Sequence, residues 1–164
     1  MPPYTGAVLT ISDKGSRGER EDTSGPQLAD MLSTHGFSVT ARAMVPDNTE
    51  RIREILLSWA DREKIDLILT TGGTGVAPRD LTPEATSPLL DREIPGIAEA
   101  MRAASLAKTR NAILSRGLAG IRKQSLIINL PGSSKAAREN LEVVLAALPH
   151  AIAKIKGDED DCGR

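Results

Sequence analysis

Four short stretches hold the residues able to do chemistry: ISDKGSRGERED (11–22), VPDNT (45–49), TTGGTGVAPRDLTP (70–83) and LPGSSK (130–135). In the third, Gly72, Gly73 and Gly75 fall within four residues, directly after an apolar run. The GxxxxGK[ST] and GxGxxG spacings are absent, and Pro78 stands where a dinucleotide-fold helix would already have begun. What remains is a glycine turn. Its backbone N–H groups, with hydroxyls from Thr71 and Thr74, can face one anion; equally, it can be a tight strand exit with glycines at positive φ.

LPGSSK favours the anion. Pro131 and Gly132 turn the chain, Ser133 or Ser134 caps the next helix, and Lys135 falls in its first turn. A cation there opposes the helix dipole, so its presence fits a bound phosphate rather than helix stability. Asp47 either caps the helix that follows or leaves that task to Asn48. Asp80 precedes Thr82, which can cap the next helix with Pro83 and Glu84 behind it, so Asp80 has no evident structural task. Asp13 and Asp22 flank a charged, glycine-containing loop. Carboxylates among anion-binding loops suggest Mg²⁺ bridging acid to phosphate. There is no Ser–His–Asp set, Cys–His pair or zinc-ligand cluster. A phosphate nucleophile would need none of these, because it is already ionised at neutral pH.

The elements that must position these loops alternate. GAVLTIS (6–12) is a strand apolar on both faces. SGPQLADMLSTHG (24–36) is a helix with Ser24 as cap and Gly36 past its end. FSVTARAMV (37–45) is a second strand, and TERIREILLSWADRE (49–63) an amphipathic helix with Ile52, Ile55, Leu56 and Trp59 on one stripe. IDLILTT (65–71), NAILS (111–115) and QSLIINL (124–130) are three more strands. TPEATSPLL, IPGIAEAMRAASLA and a final helix from PGSSK, broken near Pro149, complete the pattern. Strands separated by helices predict an α/β domain with an open, mostly parallel sheet, whose ligands lie beyond the carboxyl ends of the strands. All four chemical stretches follow strands, so they should gather at one edge.

Composition excludes several alternatives. The 164 residues fit a single domain, read here as 1–156 with a disordered acidic tail at 157–164 containing the lone Cys162. Net charge is −1 with dispersed Lys and Arg, and there is one residue each of Phe, Tyr and Trp, which argues against a nucleic-acid partner. No apolar run approaches the roughly 20 residues of a membrane span. The start MPPYTGAVLT lacks a basic region before an apolar stretch, which predicts a cytoplasmic protein.

ISD, the D–SGP segment, LTTGGTG, PRDLTPEAT, EIPGIAEAMR and LSRGLAGIRKQSLIINLPGSSKA together resemble the MoaB/Mog family of molybdenum cofactor biosynthesis, from about residue 6 to 153. PRDLTPEAT and NLPGSSK resemble its adenylyltransferase branch more than its MoaB branch. The resemblance implies a three-layer α/β/α sandwich and a homotrimer. It also implies Mg²⁺-dependent transfer of AMP from ATP to the terminal phosphate of molybdopterin, releasing pyrophosphate, with delivery to a MoeA-type molybdenum insertase. Carried across by motif, Asp80 and Asp47 match the catalytic, metal-holding acids. Gly72, Gly73, Thr74 and Gly75 match the phosphate and pterin loop. Ser12 and Asp13 match the first-strand loop, and Ser115, Arg116, Pro131, Gly132, Ser133 and Lys135 match segments lining the substrate cleft. GSRGERED is more charged than the corresponding family loop, so the cleft rim should differ. A non-catalytic pterin- or nucleotide-binding module is the alternative of a different class, and a two-domain competence-damage type is ranked last.

Overall fold

The computed structural model describes residues 3–160. Six strands form one sheet in the order β2-β1-β3-β6-β5-β4. Strands β1 (Thr5–Ile11), β2 (Ser38–Val45), β3 (Leu67–Thr71) and β6 (Ser125–Leu130) run parallel. Strands β5 (Ala119–Arg122) and β4 (Arg92–Glu93) add an antiparallel flank. Every strand residue of β3 and β6 is buried, as a sheet covered on both faces requires.

The period-two alternation of the strands sorts the core into two layers. Val8, Leu67, Leu69, Leu126, Ile128 and Leu130 face α2 (Ser24–Thr34), α5 (Pro95–Leu106), α6 (Ser134–Val144) and α7 (Leu148–Ile155). Ala7, Leu9, Ile11, Ile68 and Ile127 face α3 (Thr49–Leu57) and α4 (Thr82–Thr86). The three-layer α/β/α sandwich is thus present. Ile52, Leu56 and Trp59 form the predicted stripe, although the helix loosens into a π turn at Ser58–Arg62. Asn129 faces the second layer fully buried, where its amide donates to Thr70 Oγ1 (3.0 Å) and Thr86 Oγ1 (3.2 Å).

One local expectation is corrected. NAILS is a 3₁₀ turn, Arg110–Leu114, with Ile113 72% and Leu114 48% exposed, so its apolar run was no strand signal. The strand in its place is β5, which pairs with β6 through a hairpin that puts Lys123 at φ 51°. RKQS lacks the Asn-Gly or Asp-Gly that marks such turns. The final helix breaks at Leu145–Ala147, and Pro149 sits in the first turn of α7, where a missing N–H costs nothing. Of the tail at 157–164, Asp158 and Asp160 carbonyls accept bonds from Lys154 Nζ, while Cys162 lies outside the described residues.

Candidate active site

The parallel strands end on one edge, and each hands over to a helix whose N-terminus faces that edge. Beyond β1, Ser12 Oγ accepts from Gly15 N (2.9 Å) and opens the short α1 (Asp13–Ser16). Asp22 Oδ1 accepts from Gly25 N (2.9 Å) in the first turn of α2, and its Oδ2 accepts from Thr10 Oγ1 (2.8 Å). Ser24, the predicted cap, does something else: its hydroxyl donates to Gly132 O (3.0 Å), tying the start of α2 to the turn before α6. Asn48, not Asp47, caps α3 by accepting from Arg51 N (3.0 Å). Ser133 caps α6, accepting from Ala136 N (3.4 Å). The positive ends of α2, α3 and α6 therefore meet at one cleft.

The glycine loop needs its glycines for backbone reasons. Gly72 and Gly73 have φ of +108° and +68°, and a Cβ on Gly72 would lie 2.2 Å from Ile11 O. A Cβ on Gly73 would lie 2.3 Å from Thr82 Oγ1 and 3.1 Å from Asp47 Oδ1. Gly72 N–H is committed to Leu130 O (3.1 Å), which leaves Gly73, Thr74 and Gly75 as the loop's donors. Thr71 is committed too, donating to Pro131 O (2.7 Å). Thr82 is not a cap: Leu81 holds that position without a side-chain bond, and Thr82 Oγ1 donates to Gly72 O (2.8 Å). Asp80 has a structural task after all. Its Oδ2 accepts from Ala77 N and its N–H donates to Ala77 O, both at 2.9 Å, closing the turn.

Carboxylates crowd this edge. Asp13 and Asp47 bind each other's backbones: Asp13 N donates to Asp47 Oδ2 (3.1 Å) and Asp47 N to Asp13 Oδ1 (3.0 Å). Arg79 reaches across to Asp13 and holds its carboxyl below the ordinary range, chiefly through that side-chain bond. Asp47 is shifted the other way. Burial raises its pKa, and the charges of Asp13 and Asp80 raise it further. Asp47 is thus a half-buried acid beside two other acids.

Two cavities adjoin through the same loops. The larger, about 580 Å³, is lined by Ser12, Asp13, Asp47, Gly72, Gly73, Asp80, Gly132 and Ser133 of the predicted set. It also takes in Asp22, which the sequence singled out beside Asp13, and Lys14 and Arg20, which it did not nominate. The charged rim loop is thus part of the wall, and its charge density was the only signal. The smaller, about 270 Å³, is lined by Thr74, Gly75, Ser115 and Pro131, with Arg102, Ser105 and Asn140. Arg116 and Lys135 line neither. Lys135 is exposed in the first turn of α6, whereas Arg116 is folded against the loop at 75–84.

Among the described residues, no three His, Cys, Asp or Glu side chains form a metal cage. One or two carboxylates with a desolvated, charge-crowded oxygen are nevertheless what Mg²⁺ uses when substrate phosphates complete its shell. Asp47 and Asp80 fit that role.

A doubly covered parallel sheet with helix N-termini, a glycine turn and clustered acids at its carboxyl edge defines an α/β domain for phosphate-bearing ligands. The family profile described as "Probable molybdopterin binding domain" matches residues 7–150, and the chain belongs to this family, which serves molybdenum cofactor biosynthesis. The molybdopterin adenylyltransferase of Helicobacter pylori strain J99 is 44% identical over 153 residues, covering 92% of this chain and 87% of that protein. Cinnamon of Drosophila melanogaster (45%, 96% of this chain) and gephyrin of Dictyostelium discoideum (50%, 90%) are also similar. The chain spans only 26% and 22% of those two proteins, about a quarter of each. The solved structure of the molybdopterin biosynthesis enzyme MoaB from Thermus thermophilus is 56% identical with TM-score 0.89, covering 94% of this chain and 97% of that one. The Mog protein of Mycobacterium ulcerans is 39% identical with TM-score 0.87, covering 93% of this chain and 99% of that one.

Proposed function

We propose that this chain is a molybdopterin adenylyltransferase, moving AMP from ATP onto the terminal phosphate of molybdopterin and releasing pyrophosphate. The observation that carries the reading is one wall serving two cavities: the loops at 72–75 and 131–133 line both. A donor nucleotide in the larger and a pterin in the smaller would bring their phosphates together there. Holding two reactants in line removes much of the entropic barrier, worth up to about 7–11 kcal/mol in well-oriented systems.

The chemistry is displacement at phosphorus. An oxygen of the acceptor phosphate attacks the α-phosphorus of ATP; the new P–O bond forms as the α–β anhydride breaks, and pyrophosphate leaves with the electron pair. No proton moves, so no general base is needed. The N-termini of α2 and α6 and the Gly73–Gly75 amides orient the phosphates, while Asp47 and Asp80 would hold Mg²⁺. When bound, the ion neutralises phosphate charge. Ser115, Thr74, Gly75 and Pro131 contact the pterin-bearing substrate in this reading, and Ser12, Asp13 and Ser133 the nucleotide.

The remaining assignments accompany it. No helix among the described residues is long and apolar enough to cross a membrane, in keeping with a cytoplasmic enzyme. Exposed Leu106, Ile113 and Leu114 offer apolar surface for a homotrimer, and the adenylylated product suits a MoeA-type insertase as recipient. Purified protein, ATP, Mg²⁺ and molybdopterin should release one pyrophosphate per adenylylated pterin. Molybdopterin binding with no pyrophosphate would instead establish a binding module.

A further inference from the structure

We propose that Arg116 is a positioning residue: its one guanidinium straps both ends of the 75–80 loop, and thereby sets where the Asp80 carboxylate stands. Nε donates to Gly75 O at 2.7 Å and Nη2 to Asp80 O at 2.7 Å. The outer edge pairs with Glu84, in the first turn of α4. Arg116's own backbone is fixed, since its N–H donates to Thr74 O (2.8 Å). Arg102 in turn grips the carbonyl of Gly117 at 2.8 Å and touches that of Ser115 at 3.5 Å.

Between the strapped carbonyls, the loop is closed on itself by two Ala77–Asp80 bonds and tied to α1 by the Arg79–Asp13 pair, and Val76 to Arg79 are exposed. A planar fork with five donors can hold two carbonyls and a carboxylate in one geometry, which an ammonium cannot. The strap also joins the cavities. Ser115, next in the chain, lines the smaller one, and Asp80 lines the larger. A ligand pressing on the 115–117 turn therefore bears on the acid across the wall.

The family resemblance groups Arg116 with the segments lining the substrate cleft, and the two roles make opposite predictions. As a substrate contact, Arg116→Met raises the KM of the ligand it touches about tenfold and leaves amide exchange unaltered. As a strap, it accelerates amide hydrogen exchange across 75–80 and lowers kcat on the order of 100-fold, with both KM values within about threefold. The Mg²⁺ concentration giving half-maximal rate rises as well.

Arg116→Lys should fall between wild type and Arg116→Met, because one ammonium cannot span Gly75 O, Asp80 O and Glu84. Glu84→Gln removes only the outer partner and should stay within about threefold of wild type, since a single exposed ion pair is worth little. If Arg116→Met does not fold, the lysine variant carries the test. The kinetic arm rests on the adenylyl-transfer reading; the exchange arm does not. An inactive wild type with faster exchange in the variants overturns the reaction and keeps the strap. Unchanged exchange at 75–80 in Arg116→Lys and Arg116→Met overturns the strap whatever the activity.

Discussion

Two acid–arginine clusters sit at different places in this fold and are built to opposite rules. Beside the antiparallel flank, Arg122 grips Asp61 with two bonds (2.9 and 2.7 Å) while donating to Leu89 O (3.0 Å), and Lys123 stands 3.5 Å from the same carboxylate. The Asp61 carboxyl is held below its ordinary range, first by the bond from Arg122. In the cleft, Asp13, Asp47 and Asp80 converge, and Arg79 satisfies Asp13. Asp47 is left desolvated, its pKa raised by burial and by its acidic neighbours. A balanced cluster contributes to folding. An acid-rich one costs stability and is useful only if a cation and a ligand complete it.

Substitutions can break that contrast. The largest effect should come from Asp80→Asn. The amide oxygen can still accept from Ala77 N, so the turn survives, but the charge is gone. Pyrophosphate release should drop at least about 100-fold with molybdopterin affinity and melting temperature nearly unchanged; undiminished turnover would remove Asp80 from the catalytic set.

Asp61→Asn should do the reverse, keeping turnover while costing about 1–2 kcal/mol at neutral pH through the lost charge-assisted bonds. Because the folded pKa of Asp61 is depressed, that stability is present above the unfolded value near 3.8 and disappears as pH falls through the folded one. Chemical denaturation of both proteins at pH 7 and below pH 3 tests this; equal differences at the two pH values would contradict it.

Asp47→Asn sharpens the comparison further. A raised folded pKa means the native state favours the protonated acid, so Asp47 weighs against stability once pH rises through that value. The variant should be more stable than wild type at pH 7 by up to about 1 kcal/mol, the gain vanishing in acid, while adenylyl transfer falls by less than in Asp80→Asn. A destabilised, inactive protein would show that the reciprocal bonds with Asp13 outweigh the burial cost. The smallest effect belongs to Lys135→Ala. From its exposed place outside both cavities it can act only through screened charge, weakening molybdopterin binding about two- to threefold at low salt and less at 0.15 M. Titration at two ionic strengths reads this directly.

Much of the architecture was legible in the chain. GAVLTIS, IDLILTT and QSLIINL are apolar on both faces, which only a covered parallel strand tolerates, and the helices between them carry stripes at the 3.6 period. The position of the chemistry was legible for the same reason, since loops after parallel strands must share an edge. NAILS misled because an apolar run says nothing about what covers it, and AGIR was too short and glycine-bearing to register.

By itself the sequence determined the layers and the edge, because these follow from local periodicity and from loops that must leave parallel strands on one side. Only the tertiary structure decided which side chain bonds to which partner. Asn48 takes the cap and Asp47 pairs with the Asp13 backbone instead; Ser24 and Thr82 tie loops rather than end helices; and Arg116 straps a loop rather than facing a cavity. The Asn48 cap is local, but the bonds of Thr82, Arg116 and Ser24 turn on partners 10, 36 and 108 residues away in the chain, and hydrogen-bond partners at such separations are set by packing, not by local pattern.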